Sequence, residues 1–303
     1  MVINDSHTNH IDQQIGNYRL LRLLERNELA EIYLAEHKKL HTQVVIKLLN
    51  ERHIEDDLSK FFVHLSRLSR LRHPHIVQLL DFGMQENKGY LVMEYAPNGT
   101  LRQRHPRGSR LLPETVMHYV KQICDALHYI HSNELVHCDI KPQNLLFGAN
   151  DEVMISDFGV AIVSQSRDPL QTEPYEFAGT VIYAAPEQLQ GIPCKSSDQY
   201  ALGVVSYEWF CGDRPFSGNF DEIVHQHLYV PPLPLRLKNP QLSSAIEQVV
   251  MKTLAKKVEA RFPSAQAFAE ALEWAVEQSP TKLKPKRQFL SPQPFFDDTV
   301  AKS

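Results

Sequence analysis

HCDIKPQN (His137–Asn144) packs a histidine, an acid, a lysine and an asparagine into one short stretch. Directly before it, "ETVMHYVKQICDALHYIHS" (114–132) sets Val116, Tyr119, Val120, Ile123, Leu127 and Ile130 on one helical face. The octet is therefore a loop that follows a long amphipathic helix. Further helical stretches are predicted at about 197–211, 243–256 and 263–277. On the N-terminal side the texture is different. "YRLLRLL", "EIYLAEH" and "QVVIKLL" alternate short apolar runs with polar breaks between 18 and 50, as strands and hairpins do. "FFVHLSRLSRL" then places Phe61, Phe62, Leu65, Leu68 and Leu71 at helical spacing, and "HPHIVQLLDFG" and "KGYLVMEYAPNG" return to strands. The change of texture at "APNGT" (96–100) predicts an α+β molecule of two lobes. A small sheet lobe with one helix occupies about 16–95, and a larger, mainly helical lobe about 100–278. Residues 1–15 read as a flexible N-terminus, and the proline- and charge-rich 279–303 as a flexible tail.

Composition narrows the function classes. The chain has 303 residues, 43% of them hydrophobic, which allows a sizeable core. A formal charge of −4 argues against nucleic acid or an acidic membrane surface as partner, since "KLKPKR" (282–287) is the one basic cluster. Cys124, Cys138, Cys194 and Cys211 have no C-x-x-C spacing, so neither a disulfide framework nor a zinc site is indicated, and a reducing cytoplasm fits best. The opening residues carry no signal pattern, and no run approaches the roughly 18 apolar residues of a membrane span. A soluble chain without a membrane partner is expected.

Six motifs now fall in one order: "VVIK" (44–47), "HCDIKPQN", "DFG" (157–159), "APE" (185–187), "SDQYALGVVSYEW" (197–209) and the arginine of "ARFPS" (260–264). From about 18 to 277 the chain resembles the eukaryotic-type (Hanks-type) serine/threonine protein kinases of bacteria. The resemblance implies the bilobal protein-kinase fold, ATP and Mg²⁺ as cofactors, and a protein substrate or client as partner. It says nothing of oligomeric state.

Phosphoryl transfer asks for a held nucleotide, cations against its charge, and an acceptor hydroxyl aimed in line. By the resemblance, Asp139 accepts or orients the hydroxyl proton, Lys141 contacts the γ-phosphate, and Lys47 holds the α- and β-phosphates. Asn144 and Asp157 supply the hard oxygen ligands that magnesium favours. Ile32, Val45 and Leu146 sandwich the adenine, Met93 stands behind it, and the backbone of Glu94 to Ala96 reads its edge. His137, Phe158, Gly159, Glu187, Asp198 and Arg261 are structural: Glu187 and Arg261 as an ion pair, Asp198 as acceptor for the backbone of the catalytic loop, and His137 and Phe158 stacked with Leu68 and Leu79 between the lobes.

The departures are equally specific. The family's glycine-rich turn aligns with "ERNELAEI" (25–32), in which Glu25, Asn27 and Ala30 replace the glycines whose amides approach phosphate. Glu25 and Glu28 add negative charge there, with Arg26 as a partial offset. The glutamate that pairs with the strand lysine aligns with His64, and Cys138 replaces the arginine that would grip a phosphorylated Ser166 or Thr172. A cleft ammonium without that glutamate should turn to Asp157, or to Glu25 or Glu28 as second choice. The expected function is a serine/threonine protein kinase with weakened nucleotide binding. A pseudokinase serving as a binding or scaffold module is the alternative, and a small-molecule phosphotransferase is disfavoured by "AGTVIYAAPE".

Overall fold

The computed structural model describes residues 11–27, 30–50, 58–86, 88–157 and 181–279, with 58–61 described by backbone alone. Strands β1 (Gln14–Ile15), β2 (Tyr18–Arg26), β3 (Ala30–His37), β4 (Gln43–Leu49), β5 (Leu79–Gln85) and β6 (Lys88–Glu94) form one antiparallel sheet in the order β1-β2-β3-β4-β6-β5. Alternation sorts its two faces. Tyr33, Ala35, Val44, Ile46, Leu48 and Val92 pack on the outer side with Leu20 and Tyr18. The register sets Ile32 and Leu91 opposite Lys47, and Leu34 and Met93 opposite Val45. These residues share the other face, which looks toward the second lobe.

Helix α1 (Leu58–Leu68) lies between β4 and β5 and buries Leu65 and Leu68. It ends three residues earlier than the apolar spacing through Leu71 suggests. The cause is local: Ser66 Oγ and Ser69 Oγ turn back to the carbonyls of Phe62 and Ser66, and the residue before Pro74 disfavours helix.

The second lobe is built on α2 (Leu101–Arg104), α3 (Pro113–Ser132), α4 (Pro186–Leu189), α5 (Lys195–Cys211), α6 (Phe220–Tyr229), α7 (Leu235–Lys238), α8 (Ser244–Thr253) and α9 (Ala265–Glu277), with a hairpin of β7 (Leu145–Phe147) and β8 (Val153–Ile155). All six residues expected on the buried face of α3 are buried. Helix α5 is buried from Ser197 to Cys211, with its polar Asp198, Gln199, Ser206 and Glu208 each hydrogen-bonded inside. Its C-terminus closes on Gly212 at φ 75°, where a Cβ would meet the Gly108 carbonyl oxygen at 2.8 Å. This bilobal α+β architecture is the one expected from the sequence.

One apolar core runs through both lobes, joining Leu65, Leu68, Leu79 and Leu91 to the buried faces of α3, α5 and α9. Backbone bonds sew the same seam: Ile155 N donates to His75 O at 2.9 Å, Val77 N to Ile155 O at 2.9 Å, and Phe147 N to Gly99 O at 2.8 Å. Among the described residues no helix is long and apolar enough to cross a membrane, and all four cysteines are free thiols.

Candidate active site

The loop 137–144 leaves the end of α3 and enters β7, and one carboxylate from α5 shapes its start. Asp198 is fully buried and accepts from His137 N at 2.9 Å, Cys138 N at 2.7 Å and His131 Nε2 at 2.8 Å. A buried carboxylate needs such donors, and these fix the backbone that presents the next residue. His137 is held in turn: its Nε2–H donates to Ser156 O at 2.9 Å and its Nδ1 accepts from Asp139 N at 3.2 Å, which selects a single tautomer. Cys138 adopts φ 65°, a left-handed conformation that non-glycine residues take at a cost and that clusters at functional sites. Its carbonyl accepts from Gln188 Nε2 at 2.7 Å.

Three side chains then meet. Asn144 Nδ2 donates to Asp139 Oδ2 at 2.7 Å and to Asp139 O at 2.9 Å, and Lys141 Nζ pairs with the same Oδ2 at 2.8 Å. Both side-chain partners take Oδ2, so the carboxylate is fixed in rotation and Oδ1 makes none of these contacts. The Asn144 bonds come from its nitrogen, which turns its amide oxygen the other way. Ser156 locks the asparagine from behind, donating to the Asn144 carbonyl from N at 2.9 Å and Oγ at 3.0 Å.

Lys47 comes from the sheet lobe and is 4% exposed; its Nζ lies 2.5 Å from Asp157 Oδ1. Asp157 follows β8 and also takes a left-handed backbone, at φ 68°. Burial alone pushes the Asp157 carboxyl up, but the Lys47 charge, its hydrogen bond and Lys141 outweigh burial and hold the carboxyl below its usual range. The pair is the one expected in the absence of a helix α1 acid. His64 sits in place of that acid. Its Nε2 is buried without a hydrogen-bond partner among the described residues, and burial, helped by Arg67, pushes the imidazole down to about 4, leaving it neutral. Glu25 lies exposed on β2 and makes no contact with Lys47.

The apolar residues expected around an adenine come from both lobes. Met93 and Leu146 pack with Val77, Ala96 and Met154, while Ile32 and Val45 are half-buried on the facing sheet. The Glu94 amide is already committed to Gln78 O at 3.0 Å, so its contribution to an edge is its carbonyl.

Asn27 and Ala30 tie together the base of the degenerate turn between β2 and β3. Asn27 N donates to Ala30 O at 3.0 Å, and Ala30 N donates to Asn27 Oδ1 at 2.9 Å. Both amides are thus occupied, and Glu28 and Leu29 between them lie outside the described residues. Arg26 pairs with Glu31 at 2.8 Å, and Glu28, one of the acids it is expected to offset, lies outside the described residues. On the far side of the loop, Arg261 makes a bidentate bridge to Glu187, Nη1 to Oε1 at 2.7 Å and Nη2 to Oε2 at 2.8 Å, with the guanidinium fully buried.

The structure therefore brings Lys47, Asp139, Lys141, Asn144 and Asp157 to the junction of the lobes. Phe158, Gly159, Glu28, Ser166, Arg167, Thr172 and the tail from 280 lie outside the described residues. Sequence reading overlooked Ser156 and Gln188, each adjacent to a quoted motif, and the cluster of Arg102, Tyr183 and Glu208 described below. As donors, the Asp157 carboxylate and the Asn144 amide oxygen suit magnesium, which takes one or two protein oxygens and completes its shell with water and phosphate. Among the described residues no group of three or more His, Cys, Asp or Glu could hold a metal by itself.

Comparison with known proteins points the same way. The protein kinase domain family matches residues 18–272. The serine/threonine-protein kinase PrkC of Bacillus subtilis is 32% identical over 255 residues, 83% of this chain and 39% of its own length. PknB of Mycobacterium tuberculosis is 32% identical over 258 residues, 82% of this chain and 41% of its own. The DNA damage-responsive kinase RqkA of Deinococcus radiodurans is 33% identical over 268 residues, 86% and 39%. The chain thus spans about two fifths of the length of these curated relatives.

Proposed function

The chain belongs to the protein kinase family, and from that premise we propose that it is an ATP-dependent serine/threonine protein kinase with weak, magnesium-dependent nucleotide binding. One observation carries the reading: Asp139, Asn144, Lys141, Asp157 and Lys47 form two hydrogen-bonded sets, with Ser156 bridging the loop that holds one to the strand that leads to the other. Magnesium-bound ATP supplies the transferable phosphoryl group and the cationic charge. The protein's own residues position the rest. Asp139, with Oδ2 pinned, offers Oδ1 to the acceptor hydroxyl as base or orienting group. Lys141 stands beside it as a cation for the charge that develops in transfer. Lys47 would hold phosphate and Asp157 the metal, each in place of their mutual contact. Ile32, Val45, Met93, Leu146 and Ala96 exclude water from the base.

The Asn27–Ala30 bonds and the missing acid at His64 support weak binding, and the retained residues Asp139, Lys141, Asn144 and Asp157 support kept chemistry. Nothing in the comparisons favours a scaffold module over a kinase. A reducing cytoplasm suits the four free thiols. The deciding experiment is transfer of labelled phosphate from ATP to a serine- or threonine-bearing protein, against Asp139→Asn. The variant should lose about 10²–10⁴-fold in rate, the range for one general acid–base group. Equal signals from both proteins would mean that the activity comes from elsewhere.

A further inference from the structure

A cavity of about 390 Å³ opens in the helical lobe. Its wall includes Arg107, Ile182, Glu208, Asp213, Arg214 and Phe216. Both acids are already satisfied. Glu208 Oε1 accepts from Arg102 Nη1 at 2.6 Å, its Oε2 accepts from Tyr183 OH at 2.7 Å, and Arg102 Nη2 closes the ring by donating to Tyr183 OH at 2.8 Å. Asp213 is bound by Lys238 Nζ at 2.7 Å and by the Arg214 amide at 2.9 Å. The cations are not balanced in return. Arg214 comes no nearer Glu208 than 3.7 Å, and its Nε and Nη2 are buried with no hydrogen-bond partner among the described residues. Arg107 is exposed at the rim. With Glu208 taken by Arg102 and Asp213 by Lys238, neither of which lines the cavity, the wall's own Arg107 and Arg214 are left in excess.

The cavity is tied to the reactive loop. Ile182, on its wall, belongs to the short run that continues to Gln188, whose side chain holds the carbonyl next to Asp139. His227 Nε2 fixes the Ile182 carbonyl at 3.1 Å and is itself held through Nδ1 by Tyr200 OH at 3.0 Å, so this wall is rigid. The chain from that wall thus runs in six residues to the side chain that holds the backbone beside Asp139. We propose that the cavity is a specificity subsite for a carboxylate side chain of the protein substrate, read by Arg214 and Arg107. The proposal rests on the kinase reading above and names the chemistry of its substrate: sequences with an acidic residue near the acceptor serine or threonine.

The test uses the full chain and a peptide set in which one serine is flanked, position by position, by Glu, Gln or Lys. Binding is read by fluorescence polarisation on Asp139→Asn, and turnover on the unmodified protein. At one flanking position Glu should outperform Lys by about tenfold in both KM and binding, equivalent to about 1.4 kcal/mol, with kcat little changed. Arg107→Glu, a surface change that leaves the core intact, should reverse the preference at that position. Arg214→Ala should abolish most of it and Arg214→Lys retain it. Turnover without any preference for Glu, or with a preference for Lys, overturns the subsite alone. Binding that prefers Glu without turnover of any peptide supports the subsite and overturns the kinase reading.

Discussion

At position 64 a buried, neutral imidazole stands where Lys47 would otherwise find an anion, and two outcomes follow from that one side chain. His64→Glu should compete with Asp157 for Lys47 and release Asp157 for metal, so calorimetry should find magnesium-ATP bound several-fold more tightly, about 1 kcal/mol. Unchanged affinity would mean that the Lys47–Asp157 pair does not oppose nucleotide. The second outcome concerns pH. Burial pushes His64 down to about 4, and burial with the Lys256 charge pushes His227 down to about 3. Both folded values lie below the unfolded value of about 6.5, so the unfolded chain binds the extra protons. Their contribution to stability is complete above about pH 6.5 and is lost as pH falls from there toward the folded values. Thermal melts should drop between pH 7 and pH 5, and His227→Gln, which keeps a donor for Ile182 O, should flatten the drop. A variant whose melting temperature falls just as steeply would assign the pH response to other groups.

Two short elements decide how the site is held and how it handles phosphate. The turn between β2 and β3 is stabilised by its own side chain, since Asn27 Oδ1 accepts the Ala30 amide. Asn27→Gly should therefore cost about 1 kcal/mol in a urea unfolding curve, the usual worth of one hydrogen bond, while freeing that amide and tightening nucleotide binding. Loss of stability with no gain in affinity would show that the turn is too far from the phosphates to matter. Helix α4 is anchored by Glu187 to Arg261 beyond the 3₁₀ turn Val258–Ala260. Burial pushes the Glu187 carboxyl up, but the Arg261 hydrogen bonds and charge more than reverse this, so it stays ionised below the usual range. Arg261→Ala leaves that carboxylate buried and unpaired, and should destabilise the protein by about 3–5 kcal/mol. A shift of less than about 1 kcal/mol would place the pair in the weak class of exposed ion pairs.

Across the whole molecule, the Lys47–Asp157 contact joins the lobes, from β4 on one side to the end of β8 on the other. Nucleotide must displace it, so ATP should raise the melting temperature with magnesium present and much less with EDTA, following the logarithm of ligand concentration; equal shifts would remove the metal from the account. Amino-acid order alone determined the two lobes, because period-2 alternation in 18–50 and 3.6-residue periodicity in 114–132 each admit one kind of element. It also named residues that the structure brings together, since the five-residue spacing of Asp139 and Asn144 lets the two side chains meet. It supplied the missing partner of Lys47 too, by the type of residue at 64. Helix α6 was legible but unread: Asn219 and Glu222 form the capping box that announces it. What only the tertiary structure decided are contacts between residues far apart in the chain. Ser156 locked Asn144, His131 donated to Asp198, and Arg102 and Tyr183 took both oxygens of Glu208. Periodicity reports which face of an element is buried. It does not report which of several cations a buried carboxylate takes, because that choice depends on angstrom-scale approach between elements that sequence separation does not encode.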